Sequence, residues 1–282
     1  MSSTIGIAAV QMKVRPGEGN LERMELHLEK INRDYPWVEL VLFSELCVLG
    51  NDPKWAQTIP GPITETLCLM AKKYSTWLVP GSINEQVGDR IYNTALVINP
   101  QGTVVASYRK LYPWKPLEKC ASGKEFCVFE IPGRLRFGLC ICYDQWFPEV
   151  SRQLTWMGAE AILCPTMTGT PDRPLELILS RANAISNQAY FINLNGLEHG
   201  GNGQSVIIGP EGEIITEAGK DEDILVAKLS RDHLCTIREN GTMGVSQVLK
   251  SFRDENVTFP LYQTDVASGI GFNSLGLIGN SK

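Results

Sequence analysis

The chain has 282 residues, 43% of them hydrophobic and 20% charged, and its formal net charge is −5. This length allows one large domain or two ordinary ones, and the composition excludes disordered and fibrous proteins. The negative charge argues against nucleic acid or an anionic membrane as the main partner, because both usually require a clustered basic surface.

The cysteines and the first residues of the sequence favour a cytoplasmic protein. No apolar run approaches the ~20 residues that span a bilayer, and residues 1–7 lack the basic start and the apolar stretch of a secretory signal. The eight cysteines are scattered, whereas disulfide frameworks belong mainly to small secreted domains. We therefore expect a cytoplasmic protein whose cysteines are mostly reduced.

The first half of the chain alternates between apolar runs of strand length and a segment with apolar residues at helical spacing. Two hairpin strands follow, around a turn at 100–102 that contains proline and glycine. The predicted elements are a strand at 5–10, a helix at 20–33, a strand at 40–43, a helix at 64–74, a strand at 77–80 and hairpin strands at 92–99 and 103–108.

The second half repeats this order. Its predicted elements are a strand at 135–142, a helix at 148–157, a strand at 161–164, a helix at 174–188, a strand at 190–195, hairpin strands at 205–209 and 213–217, and a strand at 224–229. The repeated order predicts a single domain over 1–282, built of two sheets with helices outside. Residues 242–282 are mostly without periodicity and are predicted to form a C-terminal arm over the surface or onto another subunit.

Cys142 is the first candidate for chemistry. It is predicted to end a core strand just before the helix that begins near Pro148. At such a junction, backbone N–H groups can face a developing oxyanion, and the helix N-terminus lowers the pKa of a thiol. The alternative is a small buried hydrophobic residue, which is what most free cysteines are.

A cysteine nucleophile needs a base, and histidine is the usual one. His27, His199 and His233 are the three histidines, and none follows a predicted core strand. A papain-like Cys–His pair is therefore disfavoured, and we expect a carboxylate base. Glu45 ends a run without other charges from Leu40 onward, where partial desolvation would raise its pKa toward the operating pH. An exposed acid at the start of a loop is the alternative.

Lys110 and Glu118 are further candidates. Lys110 follows the strand predicted at 103–108, and an ammonium near a thiolate stabilises it and can bind a tetrahedral oxyanion. Glu118 could orient that lysine and hold the amino group of a substrate. Taken singly, both are ordinary charges that solvent would accommodate, as the neighbouring Arg109 illustrates.

Three segments together resemble the catalytic segments of the nitrilase, or carbon–nitrogen hydrolase, superfamily, in the same order. They are Val-Leu-Phe-Ser-Glu45, Tyr-Arg-Lys110-Leu and Ile-Cys142-Tyr-Asp-x-x-Phe-Pro-Glu149. The resemblance covers about residues 4–230. It implies an α/β fold, a four-layer α-β-β-α sandwich, in which Glu45 is the general base, Lys110 supports the tetrahedral intermediate and Cys142 forms a thioester. It also implies a homo-oligomer that requires neither metal nor cofactor.

Within the superfamily, the residues after Cys142 are similar to amidase-like branches rather than to true nitrilases, which have Cys-Trp-Glu. Residues 110–118 resemble aliphatic amidases and formamidases, whereas residues 143–149 are closer to carbamoylputrescine amidases. Two departures, Ser44 in place of a common proline and Leu46 in place of a frequent tyrosine, bear on pocket shape and substrate.

The expected function is hydrolysis of a small amide, with release of ammonia and a carboxylic acid. The alternatives are hydrolysis of an N-carbamoyl amine, hydrolysis of a nitrile, and a regulatory binding protein on the same fold. For the substrate site we predict the backbone N–H of Tyr143 beside the oxyanion, with Trp114 and Trp146 lining the pocket.

Two rival sites are disfavoured. Cys140 and Cys142, which strand alternation would put on one face, could form a metal or redox site with Cys164, but the spacing is not C-x-x-C and no fourth ligand is evident. The glycine-rich stretch 200–203 lacks the lysine and the following helix of a phosphate-binding loop.

Overall fold

The computed structural model describes residues 3–263, 266, 269–272, 275–276 and 278. Most of its strands belong to two sheets that pack face to face. In chain order the strands are β1 Thr4–Gln11, β2 Lys13–Val14, β3 Leu40–Phe43, β4 Trp77–Val79, β5 Ser82–Val87, β6 Arg90–Ile98, β7 Val104–Arg109, β8 Cys127–Glu130, β9 Arg136–Leu139, β10 Ala161–Thr166, β11 Tyr190–Asn195, β12 Leu197–Glu198, β13 Gly201–Asn202, β14 Val206–Ile208, β15 Ile214–Glu217 and β16 Asp223–Ser230.

Helices cover the outer faces of both sheets and follow the last strand. They are α1 Asn20–Asp34, α2 Pro62–Lys73, α3 Pro148–Trp156, α4 Arg173–Asn187, α5 Arg231–Asn240 and α6 Val248–Asp254. Short 3₁₀ turns occupy Pro53–Trp55, Cys142–Trp146 and Pro260–Tyr262. None of the helices in the described ranges has the length and apolar character that crossing a membrane requires.

The first sheet has the order β16-β1-β3-β4-β6-β5, with β7 paired to β6. Its centre is parallel, because β1 pairs with β3 and β3 with β4 in that sense, whereas the flanking pairs are antiparallel. The second sheet, β15-β14-β11-β10-β9-β8, also has a parallel centre, formed by β9, β10 and β11. Both sheets therefore have parallel central strands whose carboxyl ends can supply side chains to a site.

Strand alternation explains the layers. In β1, Ile5, Ile7 and Ala9 belong to the apolar cluster between the two sheets, whereas Ala8 and Val10 belong to a second cluster that includes residues of α1 and α2. A third cluster joins the opposite face of the second sheet to α3 and α4. The order of layers is therefore helices, sheet, sheet, helices. The predicted α-β-β-α sandwich is confirmed.

The predicted helices and strands agree with the structure to within two residues at each end, with one exception. The strand expected at 135–142 ends at Leu139, because the chain makes one further hydrogen bond, from Cys140 N to Leu163 O at 3.1 Å, and then turns. Cys142 consequently begins a 3₁₀ turn instead of ending a strand.

Several elements carry no clear sequence signal. The strand β5 is mostly polar and is held by antiparallel pairing to β6, which nothing local in the sequence announces. The helix α5 buries only Leu234 and Ile237, so its apolar pattern is short, although Ser230 caps it by accepting a hydrogen bond from His233 N. Pairing and capping thus decide these elements.

The arm predicted over 242–282 lies partly outside the described residues. Its described part contains α6 and the 3₁₀ turn Pro260–Tyr262. Arg152 of α3 lies over the ring of Phe252 in α6, with 5.0 Å from its guanidinium carbon to the ring centroid. Met243 N also donates to Glu211 Oε1 at 2.7 Å, and Leu249 N donates to Gln188 Oε1 at 3.4 Å. The arm as a whole stays a prediction.

Candidate active site

Four charged or nucleophilic side chains predicted from the sequence meet in one cavity of about 520 Å³. Glu45 lies two residues beyond β3, Lys110 directly follows β7, and Glu118 lies in the loop after Lys110. Cys142 lies three residues beyond β9 in the other sheet. All four line the cavity, which lies within the size range of small-molecule pockets.

The ammonium of Lys110 links the two carboxylates. Its Nζ lies 2.8 Å from Glu45 Oε1 and 2.7 Å from Glu118 Oε2, and both Lys110 and Glu45 are buried. Burial alone would lower the pKa of Lys110, but the negative charges of Glu45, Cys142 and Glu118 outweigh burial and raise its pKa well above the ordinary value. Lys110 is therefore a fixed positive charge in the site.

Glu45 has the environment of a base. Burial raises its pKa to about 7, although Lys110 opposes this rise, and the neighbouring charge of Glu118 adds to it. Hydrogen bonds from Lys110 and from the thiol of Cys142 stabilise the charged form. A carboxylate with a pKa near neutrality can accept and return protons at physiological pH.

The turn that carries Glu45 is held by Gly81 and Ser82, where β5 begins. The backbone N–H of Leu46, a residue with φ of 51°, donates to Ser82 Oγ at 3.0 Å. Gly81 has φ of +76°, and a Cβ at this position would lie 1.8 Å from the carbonyl oxygen of Ser44. Only glycine tolerates both that conformation and that close approach, so Gly81 helps to set the direction of the Glu45 side chain.

Cys142 is a buried thiol in the left-handed region, with φ of 47°. Burial raises its pKa well above the ordinary value, and the charge of Glu45 raises it further, whereas Lys110 lowers it. The expectation that a helix N-terminus lowers this pKa is wrong, because a 3₁₀ turn separates the thiol from α3 and burial dominates. The thiol consequently needs a base, and Glu45 is the carboxylate beside it in the cavity whose pKa the thiol affects.

The nucleophile turn is fixed by Asp144. Its carboxylate accepts hydrogen bonds from Ile141 N at 2.8 Å, Tyr108 Oη at 2.7 Å and Tyr112 N at 2.9 Å. Burial raises the pKa of Asp144 to about 6, and these donors and Lys110 oppose the rise. The carboxylate of Asp144 thus links the turn that contains Cys142 to the segment that contains Lys110.

Replacing Asp144 by asparagine is expected to lower the free energy of unfolding by about 1–3 kcal/mol, because an amide nitrogen must then face a backbone or phenolic donor in a buried site. A fall in kcat accompanies this loss, since the turn positions Cys142. Urea denaturation and a steady-state assay measure the two effects. Asp254→Asn, at an exposed position, is the matched control and should leave both unchanged.

Three residues of the site were missed from the sequence. Asn93 of β6 donates to Glu45 Oε1 at 2.8 Å and to Glu118 Oε1 at 3.2 Å. Thr168 contacts the sulfur of Cys142, and Glu176 of α4 accepts a hydrogen bond from Thr168. A buried polar residue within an apolar strand pattern is the signal that points to Asn93, whereas Thr168 and Glu176 require the fold.

The three residues predicted for the substrate site do not all line the cavity. Trp114 lines the cavity, and its backbone N–H donates to Glu118. The side chains of Tyr143 and Trp146 lie outside the cavity lining, with ring centroids 6.2 Å apart, and Tyr143 packs edge-on against Phe147. The structure therefore brings Trp114 to the cavity but not the ring of Trp146, which the 3₁₀ turn directs into an aromatic cluster. The role predicted for the backbone N–H of Tyr143 stays a prediction.

The cysteines of the rival metal or redox site lie on different faces of the second sheet. Cys140 belongs to the cluster between the second sheet and its helices, whereas Cys142 belongs to the cluster between the sheets, so the expectation that they share a face is wrong. The backbone irregularity after Leu139 is the cause. Throughout the described residues, no group of three or more His, Cys, Asp or Glu side chains is arranged to hold a metal ion.

Neither the glycine-rich stretch nor the three histidines line the cavity. Residues Gly201–Asn202 form a short strand paired with Leu197–Glu198, and Asn202 N donates to Thr168 O, so this stretch is a turn beside the site. His27 lies in α1, His233 in α5 and His199 between the paired strands, and all three lie outside the cavity lining.

Comparison with known proteins places this geometry in context. The family model described as carbon-nitrogen hydrolase matches residues 6–239. The chain is 31% identical to an omega-amidase of Xenopus tropicalis over 66% of this chain and 73% of that protein. It is 33% identical to a formamidase of Bacillus thuringiensis over 57% of this chain and 51% of that protein.

A solved structure is similar over most of both chains. An amidase of Nesterenkonia AN1 from the nitrilase superfamily, in a C-to-S variant, is 26% identical, with a TM-score of 0.74, over 84% of this chain and 96% of that one. Variants of the same amidase have been solved in complex with acrylamide and with butyramide.

Proposed function

Since the chain belongs to the carbon–nitrogen hydrolase family, we propose that it hydrolyses small linear amides through a thioester on Cys142. The names of its relatives support this reaction, because omega-amidase, formamidase and amidase all denote amide hydrolysis. The expected products are ammonia and a carboxylic acid.

One observation carries the proposal. A buried lysine lies between two carboxylates, at 2.8 and 2.7 Å, and all three groups line the same cavity as the thiol of Cys142. A nucleophile, a base within hydrogen-bond reach and a cation are the groups that acyl transfer requires. A binding-only module needs no such arrangement, so we favour an enzyme over a scaffold.

In the proposed first half-reaction, Glu45 takes the thiol proton as the sulfur of Cys142 attacks the amide carbonyl carbon. The carbonyl π pair moves to oxygen, and Lys110 together with the backbone N–H of Tyr143 stabilises the oxyanion. Collapse of this intermediate breaks the C–N bond, and Glu45 returns its proton to the departing nitrogen. Ammonia and a thioester result.

In the second half-reaction, Glu45 removes a proton from water, and the oxygen attacks the thioester carbon. Collapse breaks the C–S bond, and the sulfur regains a proton from Glu45. Glu118 acts throughout by holding Lys110 at 2.7 Å, and we expect its carboxylate to bind the nitrogen of the substrate. Trp114 contributes an apolar wall to the cavity.

The substrate is tested by an ammonia-release screen. Formamide, acrylamide, butyramide, monoamides of dicarboxylic acids, N-carbamoyl amines and a short nitrile cover the classes that the sequence leaves open. We expect turnover of at least one carboxamide, with kcat/KM at least about tenfold above that for the carbamoyl amines and the nitrile. Preference for a carbamoyl amine or a nitrile would overturn the choice of bond, and Cys142→Ala measures the background.

The pH dependence follows from Glu45. The base must be ionised, so kcat/KM is expected to rise with pH through a midpoint near 7, where burial places the pKa of this carboxyl. Measurement of kcat/KM between about pH 5 and pH 9 gives this midpoint, which belongs to the coupled group of Glu45, Lys110 and Glu118. Glu45→Gln should lower kcat by about 10² or more and abolish the acid limb. An acid limb that persists in Glu45→Gln would contradict this assignment.

A further inference from the structure

A threonine hydroxyl also contacts the sulfur of Cys142. Thr168 Oγ1 lies 3.6 Å from Cys142 Sγ, and both residues are buried. The backbone of Thr168 is fixed, because its N–H donates to Asn195 Oδ1 at 2.8 Å and its carbonyl accepts from Asn195 Nδ2 at 2.9 Å. The hydroxyl therefore has a fixed position next to the sulfur.

The proton of this hydroxyl is used in a hydrogen bond to another group. Thr168 Oγ1 donates to Glu176 Oε1 at 3.0 Å. A hydroxyl has one proton and two lone pairs. Because that proton points to Glu176, only lone pairs remain to face the sulfur, and the hydroxyl cannot donate to a thiolate.

Glu176 is itself held in place. Arg173 Nη1 lies 3.0 Å from Glu176 Oε2, and the two side chains are 0% and 3% exposed. The same guanidinium donates to Asn193 Oδ1 at 2.8 Å and to the carbonyl of Gln204 at 2.7 Å. Such a planar, always-charged group with several partners gives the carboxylate one orientation, and with it the hydroxyl of Thr168.

We propose that Thr168, oriented by Glu176, is a positioning residue for Cys142 that disfavours a thiolate in the free enzyme and leaves Glu45 as the acceptor of the thiol proton. This inference rests on the proposed role of Cys142 as nucleophile. A neutral thiol resists oxidation and stray alkylation, since the thiolate is the reactive form. The nucleophile is then generated only as Glu45 takes its proton in the reaction.

The charges around the sulfur agree with this role. After burial, Glu45 raises the pKa of Cys142, Lys110 lowers it, Glu176 raises it, and a backbone hydrogen bond from Met167 lowers it. Glu118 acts through Lys110, and Arg173 acts through Glu176. Cys140, on the helix side of the second sheet, lies against Cys164. Thr168, in the loop after β10, and Glu176, in α4, thus act on the sulfur in the same sense as Glu45.

The test is the pH dependence of Cys142 alkylation by iodoacetamide, followed by peptide mass spectrometry so that the other cysteines are counted separately. Thr168→Val keeps the shape and removes the oxygen. We expect the midpoint of its alkylation profile to move down by about one unit, which makes alkylation at neutral pH about tenfold faster than in the wild type. Thr168→Ser restores the hydroxyl and should return the midpoint to the wild-type value.

The opposite results are equally clear. An upward shift in Thr168→Val would show that the hydroxyl donates to the sulfur, and an unchanged midpoint would show that Thr168 only packs; either result overturns the inference. Glu176→Gln is a second probe and should also shift the midpoint down. If Cys142→Ala still released ammonia, the proposed function would fail, whereas the alkylation profiles would still decide the role of Thr168.

Discussion

Replacing Cys142 by alanine is expected to lower kcat for amide hydrolysis by a factor on the order of 10⁴ or more, because no other group near Glu45 can form the acyl intermediate. The free energy of unfolding should change by no more than about 1–2 kcal/mol, since the substitution removes one sulfur from a packed site. An ammonia-release assay and urea denaturation, run on the same preparation, separate the two quantities.

Cys140→Ala is the matched control for this experiment. Cys140 is buried two residues away but lies on the helix side of the second sheet, against Cys164. Its replacement should leave kcat within about twofold of the wild type, because Cys140 does not line the cavity. Cys142→Ser tests whether the reaction requires a thiolate, since a hydroxyl is a far weaker nucleophile at the same position. Ammonia release retained by Cys142→Ala would rule out the thioester.

The layered fold was predictable because strand and helix patterns differ strongly in this chain. Because side chains alternate along a strand, Ile5, Ile7 and Ala9 lie on one face of β1, and Ala8 and Val10 lie on the other. The family resemblance, also confirmed, supplied the number of layers. What the sequence could not supply were elements that depend on partners, such as β5, whose polar residues are ordered by pairing with β6.

For the site, the sequence was informative about residues at the ends of apolar runs and silent about their neighbours. Glu45 and Lys110 stood out because each follows a strand. Thr168 and Glu176 lie in separate segments, and only the parallel packing of β10 between β9 and β11 brings the loop after β10 to the sulfur. The direction of the Cys142 pKa was missed because burial, a tertiary property, dominates it.

The role of the buried ion pair of Lys110 can be tested by replacing this lysine and, as a control, an exposed lysine. Lys72 lies on α2 with an exposed side chain, so Lys72→Met is a matched control for any substitution of lysine by methionine. This control should change the free energy of unfolding by no more than about 0.5 kcal/mol and leave kcat unchanged.

Lys110→Met is expected to lower kcat by a factor on the order of 10² to 10³, which is the effect of removing one donor to a developing oxyanion. It also leaves Glu45 and Glu118 together without their cation, and breaking a buried pair in this way costs about 3–5 kcal/mol of the free energy of unfolding. Without Lys110, which lowers it, the pKa of Glu45 rises further above the value of about 7 that it has in the wild type. The variant therefore keeps its proton where the wild type loses it, and the deficit relative to wild type should grow between about pH 6 and pH 8. Urea denaturation at both values measures it, and a deficit that shrank with rising pH would contradict the ion-pair role of Lys110.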